Sequence, residues 1–345
     1  MPPTNDVPNV AAPKRGLPNW RLWIRPTIGL VVGGLLIVLM LRQFHLSELR
    51  DQLTAVNWRL VPWALVLLSI GYATRITRWL LMLRQDAPGM RWGEAARPLL
   101  VSIATNNVLP FRAGDLLRLF AFPNQPGTEP SRVAGTLIVE RVLDLLVLLL
   151  IFACVLPALP TGTEGEALSR LALPAGLVGV LGLSVLFFMP AVDRFILTPL
   201  SKNARVKRWD LGTKVVAVAR ALADTIAKLN RPSKLAALIA LSLLVWLFEG
   251  GVIVVAASAT GISGGLPAAF LALAVATLST LLPSSPGYVG TFHFFAFKAA
   301  VVFGTPPPVA AAFSIVAHLL LWVPTTLAGA AAAIWSSNPL QSARL

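Results

Sequence analysis

The feature that most constrains this chain is its recurring apolar runs of about twenty residues, such as 61–83, 133–156 and 235–257, joined by short polar connections. A helix of roughly twenty apolar residues crosses the hydrocarbon core of a bilayer, and a backbone in lipid has to satisfy its own hydrogen bonds. The fold class expected is all-α, a polytopic integral membrane bundle with about six full spans plus two broken or re-entrant segments. Only 13% of the residues are charged, too few to clothe a soluble surface around a chain that is 56% hydrophobic.

Charge and cysteine content exclude several classes of function. The formal charge of +14 would suit a nucleic-acid binder. Here the Lys and Arg side chains lie between apolar runs, where they set orientation in the membrane and attract anionic lipid. No nucleic-acid partner is expected. Cys154 is the one cysteine and lies in an apolar run, so no internal disulfide can form. His45, His293 and His318 lack metal-ligand spacing, and neither metal nor cofactor is expected.

In order along the chain, residues 1–26 read as a disordered cytoplasmic tail, rich in Pro and Asn up to residue 19. Lys14, Arg15, Arg21 and Arg25 precede the apolar run 27–41, as in a signal peptide, but Met40, Leu41 and Arg42 offer no cleavage site. An uncleaved first helix that starts in the cytoplasm is expected. Residues 27–335 form one transmembrane domain, and 336–345 a cytoplasmic C-terminal tail. The span 61–83 carries Arg75 and Arg78, which either line the interior or snorkel; their place near its end favours snorkelling. Arg84, Arg91 and Arg97 mark the next loop as cytoplasmic.

The run 133–156 carries Glu140, Arg141 and Asp144 within about a quarter turn, a charged stripe that needs partners. Residues 157–169 hold Glu164 and Glu166 with no basic residue, which places them outside. The stretch 194–234 is basic, with Lys202, Arg205, Lys207 and Arg208 ahead of an amphipathic helix that repeats Val215, Val218, Leu222 and Ile226. That helix reads either as a docking element of a solvated loop or as a lipid-recognition surface. The run 235–257 bears Glu249, placed near its outer end.

Two interruptions stand out. Asn106, Asn107, Pro110, Arg112, Gly114, Asp115 and Arg118 put amides, charges and helix breakers into an otherwise apolar region. A second break, 283–290, contains Pro283, Pro286, Gly287 and Gly290. Both read Leu-Pro with Gly four residues after the Pro, and paired interruptions in the two halves of a chain point to a transporter's binding site. Loop charges put the flanks of the first break inside and the residues ahead of the second outside. The pair therefore reads as an inverted repeat, or as coincidence in a Pro- and Gly-rich chain.

Asn107-x-x-Leu-Pro-x-Arg-x-Gly-Asp-x-x-Arg118, Glu140-Arg-x-x-Asp144 and Leu282-Pro-x-x-Pro-Gly-x-x-Gly290, in that order, resemble the lysylphosphatidylglycerol synthase transmembrane, or flippase-like, family. The resemblance spans about 25–335. It implies a bacterial or archaeal inner-membrane protein linked to lipid flipping, glycolipid or dolichol-linked glycosylation, or hopanoid biosynthesis. The large soluble domain of members that aminoacylate phosphatidylglycerol has no counterpart here, so synthase activity is not expected. Where some members carry an acidic residue after the second break, this chain has His293.

Arg112, Asp115, Arg118, Glu140, Arg141 and Asp144 sum to zero, and two roles follow. They either close a neutral buried network that holds the bundle together, or bind an anionic headgroup with the help of Asn106 and Asn107. In a neutral network every arginine is taken, so binding would require a carboxylate to take up a proton. Three functions are expected in descending order. The first is an inner-membrane translocase of lipids or lipid-linked precursors, with membrane lipids as partners. The second is a non-catalytic scaffold for lipid-biosynthesis enzymes, and the third a membrane-embedded lipid-modifying enzyme. No catalytic residue is assigned, because no Ser/His/Asp set, metal cluster or nucleotide loop is present.

Overall fold

The computed structural model describes residues 21–109, 112–122, 125–160, 170, 172–203, 210–228, 232–282 and 284–336. Among these it is helix, turn and loop with no strand. The helices are α1 (Arg21–Leu41), α2 (Leu46–Thr54), α3 (Val61–Leu83), α4 (Trp92–Val108), α5 (Ala113–Leu119), α6 (Pro130–Val155) and α7 (Ala172–Phe187). They continue with α8 (Asp210–Lys228), α9 (Pro232–Thr260), α10 (Gly265–Ser279), α11 (Thr291–Val302) and α12 (Pro307–Ser336). The expected tails, the loop carrying Glu164 and Glu166, and Arg205, Lys207, Arg208, Pro110 and Pro283 lie outside the described residues.

Three stretches are long and apolar enough to cross a bilayer alone: Trp58–Leu83, Pro232–Thr260 and Pro307–Ile334. The chain is thus a multi-pass membrane protein. Helix α6 is long as well, but its apolar run is interrupted by Glu140, Arg141 and Asp144. Helices α1 and α2 meet at an 87° bend. Trp58, Trp63 and Trp92 are exposed near helix ends, where an amphipathic ring suits the membrane–water boundary.

One order of elements occurs twice: a long helix, a broken pair and a long helix. The first set is α3, α4–α5, α6, and the second is α9, α10–α11, α12. Their contacts are reciprocal. The leading helices α3 and α9 pack on each other, α4 packs on α12, and α10 packs on α6. Helix α8 docks on α6 with Leu222 and Ile226 buried, while Val215 and Val218 stay exposed.

Two apolar cores result. One gathers the far half of α6, the body of α9, and α10 to α12 around Phe297 and Phe313. The other gathers the far half of α3, α4, the near half of α6 and the start of α9 around Trp79 and Leu143. Along α3, α6 and α9 the charged residues fall where one core gives way to the other. Arg75 sits at 8% exposure, Arg78 at 0%, Glu140 at 2% and Glu249 at 9%. The expectation that Arg75 and Arg78 snorkel is therefore corrected. Both turn inward because carboxylates on α6 and α9 can pair with them there, whereas an unpaired charge would be driven to the interface. Glu249 likewise lies well inside α9 rather than near its outer end.

Candidate functional site

The first break begins where α4 stops at Val108. Leu109 is extended, at φ −99° and ψ 146°, as the residue before a proline has to be. Arg112 then re-enters at φ 51° and ψ 43°, a left-handed conformation uncommon outside glycine, and α5 starts at Ala113. Asn106 joins the two arms of the hairpin: its Oδ1 accepts from the Gly114 N–H at 2.8 Å and its Nδ2 donates to Asp115 at 3.0 Å. Gly114, read from the sequence as a helix breaker, is a point of close approach. A Cβ there would lie 1.8 Å from the Ser102 carbonyl oxygen.

Asn107 docks the same hairpin on α12. Its Nδ2 donates to Thr325 and Thr326 at 3.0 and 2.9 Å, and its carbonyl accepts from Trp322 Nε1 at 3.2 Å. A break in a buried helix frees backbone groups, and these side chains satisfy them.

The second break runs from Thr280 to Gly290 through a turn at Pro286–Tyr288. Gly287, Tyr288 and Gly290 all have positive φ. Two histidines hold this turn: His318 Nε2 lies 2.8 Å from the Gly287 carbonyl, and His293 Nδ1 accepts from the Gly290 N–H at 3.3 Å. Their rings are 4.6 Å apart. Helix α1 lies against the same turn, and a Cβ on Gly29 would meet the Ser284 carbonyl at 2.4 Å. The two breaks touch, since a Cβ on Gly287 would lie 3.0 Å from the Asn107 carbonyl.

Between the breaks lies a cavity of about 400 Å³. The sequence-predicted Asn106, Asn107, Arg112, Asp115, Arg118, Glu140, Arg141 and Asp144 all line it. Arg118 grips Glu140 with both terminal nitrogens, at 3.3 and 3.0 Å, and sits 4.0 Å above the Trp79 ring. Arg141 holds both oxygens of Asp115 through Nη2, at 2.9 and 2.8 Å. Asp144 accepts from Arg78 at 2.6 Å, from Trp246 at 3.2 Å and from Arg75 at 3.5 Å. Arg75 also bonds Glu249 and lies 5.8 and 5.5 Å from the centres of the Tyr72 and Trp246 rings.

The network is thus larger than the six charges read from the sequence, because Arg75, Arg78 and Glu249 belong to it. Five guanidinium groups meet four carboxylates. Asp115 takes Arg141, Glu140 takes Arg118, Asp144 takes Arg78 and Glu249 takes Arg75. Arg112 is left over. Among the described residues its bond is to the Thr280 hydroxyl at 3.3 Å, across the gap between the breaks. The expectation that every arginine is neutralised, and that a carboxylate must be protonated to free one, is therefore replaced: one cation is already outside the ion pairs. Thr280, His318 and Trp322 also line the cavity and carry no signal a lone sequence reveals. No group of His, Cys, Asp and Glu suited to a metal occurs among the described residues.

Two broken helical pairs meeting over a charged cavity between apolar cores define a polytopic membrane protein with a buried polar site. Residues 27–329 match the model of the lysylphosphatidylglycerol synthase TM region, and the chain belongs to that family. It is similar to the protein named Glycosyltransferase AglD of Haloferax volcanii, 26% identical over 334 residues. That match covers 85% of this chain and 53% of the relative, so the chain spans about half the length of that protein.

Proposed function

We propose that this protein is a translocase of the cytoplasmic membrane that moves a lipid or lipid-linked precursor by binding its anionic headgroup between the two breaks. The observation that carries the reading is Arg112, a cation in a cavity at the boundary of two apolar cores with a threonine hydroxyl in place of a carboxylate partner. A cation there is costly unless an anion completes it, and a guanidinium is the side chain best shaped for a phosphate. In this reading the twice-repeated set of helices, four spans and two broken pairs, is an inverted repeat. Its broken pairs enter from opposite faces, and both termini are cytoplasmic. Binding at the interface of two repeats with interrupted helices is the arrangement expected of an alternating-access transporter. The family and the relative named as a glycosyltransferase support a place among lipid and glycan-carrier pathways. The chain acts there by transport rather than by catalysis.

The test is lipid movement between leaflets of liposomes holding purified protein, beside an Arg112→Gln variant of unchanged thermal stability. Movement of an anionic lipid that the variant loses supports the reading. Equal rates in both, or in empty liposomes, would remove it.

A further inference from the structure

The charge balance of the network around the cavity extends the anionic-headgroup proposal, on which it rests. Among the described residues, four of its five arginines, counting the fully buried Arg78 behind the cavity wall, have a carboxylate each, which leaves one positive charge. His318 also lines the cavity, and a neutral imidazole does not alter the count. We propose that the site selects a headgroup with a single negative charge: a lipid phosphodiester, in preference to zwitterionic lipids and to lipids bearing a pyrophosphate.

The charge that remains after binding decides the preference. A phosphodiester brings one negative charge and leaves the layer between the two apolar cores neutral. A zwitterionic headgroup leaves the excess cation as it was. A pyrophosphate reverses the sign and leaves at least one buried anion without a partner. Uncompensated charge at membrane depth is what the surrounding pairs avoid, so specificity arises from the mismatch as much as from the match. Geometry agrees with a single-charge ligand. Arg112 Nη2 spends one bond on a neutral hydroxyl, which a phosphate oxygen can replace. Arg141 engages Asp115 through Nη2 alone, and its side chain is 39% exposed. The remainder of the headgroup meets uncharged groups, since Tyr288, His318 and Trp322 also line the cavity. A diester has a second ester arm to place there, whereas a terminal phosphate has none.

The experiment measures binding of purified full-length protein, at pH 8, to nanodiscs that differ in one lipid. The probes are phosphatidylglycerol as the monoanionic diester, phosphatidylethanolamine as the zwitterion and diacylglycerol pyrophosphate as the higher anion. Water-soluble glycerophosphoglycerol serves as a competitor. Expected is at least tenfold tighter binding of phosphatidylglycerol than of the other two. Arg112→Gln, which brings the count to zero, should abolish that preference. Asp115→Asn, which frees Arg141 and raises the count to two, should move it towards the pyrophosphate. Asp115 is the most exposed of the four carboxylates, so this variant retains the buried pairs, and its thermal unfolding is measured alongside. If both anionic lipids bind alike and Asp115→Asn changes nothing, the single-charge rule is overturned while the anionic-headgroup reading stands. If no lipid binds, that reading fails and takes the rule with it. Competition by glycerophosphoglycerol at the concentration that the lipid itself needs would assign the site to a free solute and overturn the lipid proposal.

Discussion

Removing one member of the Arg118–Glu140 pair should cost far more than removing both. The two side chains are each 2% exposed, and Glu140 has both oxygens on Arg118. Glu140→Leu leaves Arg118 a buried cation, and Arg78, whose Nη2 lies 4.0 Å from Glu140, loses part of its compensation too. Breaking a buried pair in this way costs about 3–5 kcal/mol. Arg118→Met strands Glu140 instead, but Arg78 remains close, so its cost lies near the lower end of that range. The double variant removes both charges. Its residual losses are the 4.0 Å contact of Arg78 with Glu140, small because Arg78 keeps Asp144, and the stacking of Arg118 on Trp79, about 2 kcal/mol when desolvated. A methionine sulfur against the same ring recovers roughly 0.3–1.5 kcal/mol of that. The double variant should therefore fall within about 1–2 kcal/mol of the parent, with a coupling between the sites of about 3 kcal/mol or more. Equilibrium unfolding in mixed micelles or bicelles, followed by helical circular dichroism, measures all four proteins. Single variants within 1 kcal/mol of the parent, or costs that simply add, would show that these residues do not pair in the folded protein.

Three further outcomes are expected. Gly114→Ala should prevent folding, because its Cβ collides with the Ser102 carbonyl, whereas Gly89→Ala, which meets nothing within 4 Å, should be silent; yield and monodispersity in detergent separate them. Asn107→Leu removes the donors to Thr325 and Thr326 and should cost about 1–3 kcal/mol in the same unfolding assay. His293→Leu leaves the Gly290 N–H without its acceptor and should cost about 1–3 kcal/mol, while His293→Asn, which offers an oxygen, should cost less.

How far the sequence disclosed this arrangement depends on what lipid hides. The helices, the two interruptions and the charged stripe of α6 were legible, because length, Pro, Gly and charge are each visible without a partner. The inward turn of Arg75 and Arg78 was not. In a soluble helix an exposed face is polar, which sets the phase of the buried one. On α3 the outward-facing Leu65, Val66 and Ile70 are as apolar as the inward-facing Ala64 and Leu68. A lipid-facing surface carries no contrast, so only the spacing of three between the arginines hinted at one face. Glu249 was visible as the charge of its span, but the register that brings it to Arg75 belongs to the packing of α3 on α9, two segments far apart in the chain. The exclusion of Arg112 from the pairs was least accessible. A count over six residues gave neutrality, and the odd cation emerges only when the partners on α3 and α9 are added.

Helix α12 explains why both breaks persist at this depth. His318, Trp322, Thr325 and Thr326 recur at intervals of three and four, so they form one stripe. From that stripe His318 meets the Gly287 carbonyl of the second break, while Trp322, Thr325 and Thr326 meet the carbonyl and amide of Asn107 at the first. A single helix thus gives polar partners to both interruptions, beside those that Asn106 and His293 supply within them. Arg75, Arg78 and Arg118, in contrast, are held by carboxylates on α6 and α9. Displacing the second break along the α12 stripe exchanges a few hydrogen bonds, whereas the first break is also tied to α6 by the Arg118–Glu140 and Asp115–Arg141 pairs. Displacement of α3 against α6 and α9 would have to break buried ion pairs. By that count the second break, which no ion pair holds among the described residues, is the cheaper of the two to displace, and the contact it would give up is Thr280 with Arg112.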